Sequence, residues 1–202
     1  EDWLIRVGMN NPKQRLNQYA FELSGGQRQR AMIAMALCTN PDILIADEPT
    51  TALDVTTQAQ TLDLLNDLQE KNGMSIIMIT HDLGVIAELA DQVNVMYLGK
   101  VVESGTLNDV YKNPMHPYTK SLLSSIPSLA TKHRERLPIL QGTIPHPVAR
   151  PSACNFESNC DDINPDCKNA DPVSVEEAPG HFVLYCGICY QDKKCAWYPR
   201  GI

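Results

Sequence analysis

The stretch Leu23-Ser24-Gly25-Gly26-Gln27 organises the residues that follow it. Ser24 followed three residues later by Gln27 is the S-x-x-Q capping box. Behind it, Ala31, Ile33, Ala34, Ala36 and Leu37 form a run that reads as a well-buried helix to about Cys38. Gly25 and Gly26 carry no side chain, so a ligand can come close to the backbone there. A helix start has unpaired N–H groups and the positive end of the helix dipole, which makes it a ready anion site. Taken alone, Ser-Gly-Gly reads first as an ordinary capped helix after a glycine turn, and the downstream segments reverse that preference.

Residues 3–22, upstream, read as a short helical region. Downstream, Thr39-Asn40-Pro41-Asp42 breaks that helix. Ile43-Leu44-Ile45-Ala46 then ends in Asp47-Glu48-Pro49; so short an apolar run reads as a strand buried on both faces, as in a parallel sheet. Thr50 to Asp54 is a loop. Thr56 or Thr57 is expected to cap a helix with Leu62, Leu65 and Leu68 on its apolar face, ended by Asn72-Gly73. Met74 to Thr80 reads as a second buried strand, followed at once by His81-Asp82, and Leu83 to Leu89 as a short helix. Gln92–Tyr97 and Lys100–Glu103 read as two strands across a Leu98-Gly99 turn.

This alternation implies an α/β layered domain. Ligands bind beyond the carboxyl ends of strands in open α/β sheets. If the two strands are parallel, Asp47, Glu48 and His81 share one sheet edge. Successive carboxylates point different ways, so one can serve a Mg²⁺ and the other a nucleophilic water. Each alone has a plainer reading, a solvated acidic turn or a structural histidine. Together with an anion-binding helix start they form one phosphate-chemistry constellation.

The 202 residues carry a formal net charge of −7, which argues against a general basic surface for nucleic acid. No apolar run approaches the length of a membrane span, and the first residues do not read as a secretory signal. The chain starts at Glu1 without methionine, which fits processing, a trimmed expressed form or an incomplete sequence. Thr106-x-x-Asp109 opens a further helix. From Asn113 the character changes: Pro114, Pro117, Pro127, Pro138, Pro145, Pro147 and Pro151 punctuate an extended strap with one helix near Tyr118–Ser125. Cys38 reads as a core residue of the helix after Gln27. The other six cysteines, at 154, 160, 167, 186, 189 and 195, fall in the last quarter and mark a separate C-terminal unit.

Leu23–Arg30 (LSGGQRQR) resembles the signature motif of ABC transporter ATPases, and Ile43–Pro49 (ILIADEP) resembles their Walker B strand with its catalytic glutamate. Ala52-Leu53-Asp54 is similar to the D-loop and Thr80-His81-Asp82 to the switch-histidine segment. The runs IADEPTTALDV and ITHDLGVIAELADQVNVMYLGKVVESG, Pro114-x-His116-Pro117-Tyr118-Thr119 and Gln141-Gly142-x-x-Pro145 narrow the resemblance to ATP-binding subunits of dipeptide and oligopeptide importers. The fold this implies is the C-terminal half of a P-loop NTPase (RecA-like) ATPase domain with part of its helical subdomain. The implied divisions are a helical part at 1–40, an α/β core at 41–112, and an extension at 113–202 whose Cys-rich module begins near 152.

The resemblance also implies roles. Ser24, Gly25, Gly26 and Gln27 would contact the γ-phosphate of an ATP held by a partner subunit, Asp47 would hold Mg²⁺ through water, Glu48 would polarise the attacking water, His81 would contact the γ-phosphate, and Asp54 would signal across the dimer. Partners would be a second ATPase subunit, identical or not, transmembrane permease subunits, and indirectly an extracytoplasmic solute-binding protein, with no nucleic acid. The place would be the cytoplasmic face of the cell membrane.

One departure is large. The 202 residues contain no G-x-x-x-x-G-K-[ST] and no Q-loop, which family members carry before the signature. The chain alone is therefore expected neither to bind ATP tightly nor to turn it over, and a partial sequence is the simplest account. Tyr19-Ala20-Phe21-Glu22 stands where many relatives have Tyr-Pro-His-Gln, a change expected to matter little. Cys154, Cys160, Cys167 and Cys186 are similar to a C-terminal extension associated with an iron–sulfur cluster, with Asn159 where many relatives have Arg. Four thiolates suit a [4Fe–4S] centre; zinc, disulfides and unligated thiols are the other readings, and Cys186-x-x-Cys189 is also a zinc or redox pattern. His181 is a further possible ligand. The rival functions are a non-catalytic regulatory or metal-binding protein that kept half the domain, an ABC-type ATPase outside transport, and import of nickel, glutathione or another small solute instead of peptides.

Overall fold

The structure is a computed structural model that describes residues 1–126, 146, 154–156, 159–160 and 171–186, the Cys186 side chain excepted. Cys167, Cys189, Cys195, most of the proline strap and the Gln141–Pro145 element lie outside the described residues. The chain divides into two compact units, Glu1–Leu89 and Ala90–Ile202.

In the first unit, α1 (Asp2–Arg6), α2 (Pro12–Arg15) and a 3₁₀ turn (Ala20–Glu22) lead into α3 (Gly25–Leu37). Strand β1 (Ile43–Asp47), α4 (Val55–Asn72), β2 (Ser75–Ile79) and α5 (Leu83–Leu89) follow. β1 and β2 pair in parallel, Ile43 with Ser75 through Asp47 with Ile79. The core joins Val7 and Met9, the inner face of α3 (Ile33, Ala34, Leu37), Leu44, and Leu65, Leu68 and Met74. Leu37 and Leu65 are almost wholly buried, each stabilising the fold by roughly 1.5–3 kcal/mol.

The caps explain where the helices start and stop. Ser24 Oγ accepts from the Gln27 amide at 3.3 Å and Gln27 Oε1 accepts from the Ser24 amide at 3.1 Å, so the capping box read in the sequence forms. Gly73 ends α4 at φ 66°, a left-handed conformation that glycine adopts without penalty.

Three expectations need correction. The cap of α4 is Asp54, whose Oδ1 accepts from the Thr57 amide at 3.0 Å, so neither Thr56 nor Thr57 caps it. Cys38 is exposed at the end of α3, its Sγ 3.0 Å from the Met35 carbonyl oxygen, because the core-facing stripe has already turned away there. The strands are not buried on both faces. Leu44, Ile76 and Met78 pack on the helices, whereas Ile43, Ile45, Ile77 and Ile79 are about half exposed or more on the other side.

In the second unit, β3 (Gln92–Tyr97) and β4 (Lys100–Thr106) make an antiparallel hairpin across Leu98-Gly99. α6 (Leu107–Lys112) starts on the Thr106/Asp109 capping box, and α7 (Pro117–Ser124) follows. The sequence reading missed a second hairpin, β5 (Pro172–Ala178) and β6 (His181–Cys186). β6 pairs with β4, giving the antiparallel order β3-β4-β6-β5.

Glu103, on β4, is wholly buried. Its carboxylate accepts from the amides of Met115 (2.8 Å) and His116 (3.0 Å), and lies 2.9 Å from Nε2 of buried His181. An unpaired carboxylate would be costly there, and three donors satisfy it. His181, suggested as a metal ligand, spends its described bond on this carboxylate. Tyr97, Val102 and Phe156 form a second core, with Tyr118, Cys154, Cys160 and Leu184 packed against it.

Candidate functional site

Glu48 and His81 sit at the carboxyl ends of β1 and β2. The Glu48 amide donates to the Ile79 carbonyl at 2.8 Å, one step beyond the β1–β2 ladder, which brings Glu48 beside the residues that follow β2. His81 Nδ1 then lies 2.7 Å from Glu48 Oε1, and the Thr51 hydroxyl donates to Glu48 Oε2 at 2.8 Å. Both carboxylate oxygens are thereby fixed. Glu48 adopts φ 48° without being glycine, a conformation that costs roughly 1–3 kcal/mol and clusters at functional sites.

Electrostatics follow from these contacts. The His81 bond first, and the Thr51 hydroxyl second, hold the Glu48 carboxyl below its ordinary 4.5. The same contact raises His81 above its ordinary 6.5. A lowered acid contributes stability above 4.5 that is lost as pH falls through its folded value, and a raised histidine contributes below 6.5 and is lost as pH rises through its folded value. The pair is therefore strongest between those two limits. Both side chains are open to solvent, so its worth to stability is small.

Asp47 is exposed at the end of β1, and its carboxylate makes no hydrogen bond to any described residue. An unspent carboxylate beside a fixed one suits a hard cation held through water.

The signature residues occupy a different place. Ser24, Gly25, Gly26 and Gln27 line a cavity of about 420 Å³ with Arg30 and Asp54, and neither Glu48 nor His81 lines it. The Arg30 guanidinium donates to the Val7 carbonyl and brings a positive charge to the wall. Asp54 Oδ2 accepts from the Thr57 hydroxyl at 2.7 Å; that bond first, and the Thr57 amide second, keep its carboxyl low. An ideal Cβ on Gly26 would come 2.7 Å from Thr57 Cγ2, so packing alone calls for glycine there.

The structure thus brings Glu48 to His81, and the signature to Asp54, in two separate places. Sequence reading passed over Thr51, Arg30 and Gln58. The spacing of Thr51, three residues past Glu48, was the available signal for the first. Among the described residues no three possible metal ligands gather. Cys154 and Cys160 pack against one aromatic cluster, while Cys167 and the Cys186 side chain lie outside the described residues.

Two family descriptions match the chain: the ABC transporter family over residues 1–51, and the oligopeptide/dipeptide transporter C-terminal region over residues 102–167. The dipeptide transport ATP-binding protein DppD of Bacillus subtilis is 50% identical over 180 residues, covering 89% of this chain and 53% of that protein. A putative peptide import ATP-binding protein of Brucella melitensis is 48% identical over 170 residues, covering 84% of this chain and 51% of that protein. A solved dimeric ATP-binding cassette bound to ADP and phosphate aligns with 52% of this chain and 44% of that one, at 34% identity and a TM-score of 0.46, too low to inform arrangement.

The chain belongs to the ABC transporter ATP-binding family. Residues 102–167 carry the match to the C-terminal region of oligopeptide/dipeptide transporters. The chain spans about half the length of the curated relatives it matches.

Proposed function

We propose that these residues belong to an ATP-hydrolysing subunit that energises import of di- or oligopeptides across the cytoplasmic membrane. In this reading they are the C-terminal half of a P-loop ATPase domain, with part of its helical subdomain at 1–40, the α/β core at 41–112, and the strap and Cys-rich extension at 113–202. The carrying observation is the Glu48–His81 contact at the carboxyl ends of two parallel strands, where α/β folds bind ligands.

Bound ATP and Mg²⁺ would supply the reacting phosphoryl group and its charge neutralisation. Asp47 is the carboxylate placed to hold Mg²⁺ through water. Glu48, kept ionised by His81 and Thr51, is a weak base; its role is to orient and polarise a water. His81, raised in pKa by the same contact, would contact the γ-phosphate. Ser24 to Gln27 serve a nucleotide on a second ATPase subunit, and Asp54 reports on that subunit. The separation of the signature cavity from Glu48 supports this division between subunits. Transmembrane permease subunits, served from outside by a solute-binding protein, complete the assembly, and this chain lies on the cytoplasmic face. No described helix is long and apolar enough to cross a membrane. Cys154, Cys160, Cys167 and Cys186 hold a [4Fe–4S] cluster or zinc in the same reading.

Turnover of ATP tests the assignment. The 202-residue chain alone is expected to show none. Mixed with a polypeptide supplying a G-x-x-x-x-G-K-[ST] loop it is expected to hydrolyse ATP, and Glu48→Gln to lower the rate by about 10²–10⁴-fold. Undiminished turnover in the Glu48→Gln mixture would remove the catalytic assignment. A folded mixture that never turns over ATP would favour the non-catalytic rival.

A further inference from the structure

Between the two places just described runs one side-chain bond that neither motif explains. Gln58, on the first turns of α4, donates from Nε2 to Asp82 Oδ2 at 3.1 Å. The other oxygen of Asp82 accepts from the amides of Gly84 (2.9 Å) and Val85 (3.4 Å), so the same carboxylate caps α5. The Asp82 amide donates to the Thr80 hydroxyl at 3.0 Å, which tightens the turn that carries His81. Partial burial alone would raise the Asp82 carboxyl, but the Gln58 bond and the Gly84 and Val85 amides outweigh it and keep it ionised.

On the other side, the Gln58 amide donates to the Asp54 carbonyl at 2.8 Å, and Asp54 caps the same helix through Thr57. A continuous path results: Asp54, the first turn of α4, Gln58, Asp82, His81, Glu48. The Gln58–Asp82 bond is a side-chain link between α4 and the loop after β2. A half-buried neutral donor on an ionised acceptor is a stronger hydrogen bond than an amide–amide one. Gln58 does not line the signature cavity.

We propose that Gln58 is a positioning residue that makes the Asp54 loop and the His81 loop move as one. This rests on the reading above, in which Asp54 faces a second subunit and His81 a nucleotide. A shift of Asp54 on dimer closure would then turn the Asp82 carboxylate, and with it the neighbouring His81, relative to Glu48.

Hydrogen–deuterium exchange on the 202-residue chain, without nucleotide, tests the link. Asp54→Ala removes the α4 cap and is expected to speed exchange of the Gly84 and Val85 amides about three- to tenfold, the size of one net hydrogen bond. In a Gln58→Leu background the same Asp54→Ala change is expected to leave those amides where Gln58→Leu alone put them. Gln58→Lys restores a donor to Asp82 and is expected to restore the transmission. Gln, Leu and Lys have similar helix propensities, so the contrast between Leu and Lys isolates the donor from any role in the helix itself. The Leu65 and Leu68 amides monitor global loosening; if they speed up too, Asp54→Gly, which removes the capping carboxylate at a smaller cost to the helix, replaces Asp54→Ala. Unchanged Gly84 and Val85 amides on cap removal, or an equal response in the Gln58→Leu background, overturns the proposal. No nucleotide takes part, so failure of the ATPase reading appears in the turnover experiment and failure of the link appears here.

Discussion

Gly25 and Gly26 are neighbours in one motif, yet an added methyl group meets different surroundings at each. At Gly25 the nearest atom would be Leu53 Cδ2 at 3.5 Å, an ordinary contact. At Gly26 it would be Thr57 Cγ2 at 2.7 Å. Thr57 is β-branched, and its hydroxyl is held by Asp54, so it cannot swing aside without losing that bond. Replacing helical glycine by alanine gains roughly 0.5–1 kcal/mol where space allows, and overpacking costs about 1–3 kcal/mol. Gly25→Ala is therefore expected to match or exceed the parent in urea unfolding, while Gly26→Ala falls below it. Equal midpoints for the two variants would contradict this packing account. In the sequence the two glycines had a single shared reason, open backbone for a ligand. The second reason for Gly26 depends on a residue 31 positions away, and no local pattern carries that.

At the scale of elements, what the sequence made legible was whatever is local. The S-x-x-Q box, the Asn72-Gly73 stop and the Leu83–Leu89 helix depend on neighbours a few residues apart, and they form as read. The β5–β6 hairpin was passed over because its alternation breaks at a register shift between Glu176 and Ala178. Its anchor, Glu103 with His181, joins residues 78 apart. The same unit yields a pH prediction at the start of α7. His116 is buried, and its Nδ1 accepts from the Tyr118 amide at 3.1 Å, so that nitrogen must stay unprotonated. Burial first, and the Lys120 charge second, push this histidine down to about 4 from 6.5. The unfolded chain binds the proton as pH falls below 6.5 and the folded one does not, so stability is lost as pH drops from 6.5 toward 4. The loss attributable to His116 is expected to reach about 2–3 kcal/mol near the lower limit. His116→Asn keeps an acceptor for the Tyr118 amide and does not titrate. Melting temperatures recorded across that range should fall less steeply in the variant, and parallel curves would remove His116 as the cause.

For the chain as a whole, which residues stand at the strand ends was easier to read than what covers the strands. Asp47, Glu48 and His81 announce themselves by residue type at strand ends, whereas the burial expected on both faces of those strands depends on what else packs there. The exposed isoleucines at 43, 45, 77 and 79 mark the difference. Parallel strands are ordinarily covered on both faces, and among the described residues this pair is covered on one. Cysteine is the other whole-chain pattern: one in the first unit, six in the last quarter. Cys154 and Cys160 approach the same Tyr97–Phe156 cluster, and the backbone of Cys186 closes the β5–β6 ladder opposite Pro172. A shared metal would tie together segments that are separated in sequence. Purified without oxygen, the chain is expected to carry either about four irons with matching sulfide or one zinc. Cys154→Ser is expected to lose that metal and Cys38→Ser to keep it, since Cys38 is exposed at the end of α3. Metal analysis that finds neither iron nor zinc, or equal loading in both variants, would leave disulfides or unligated thiols as the account of the six.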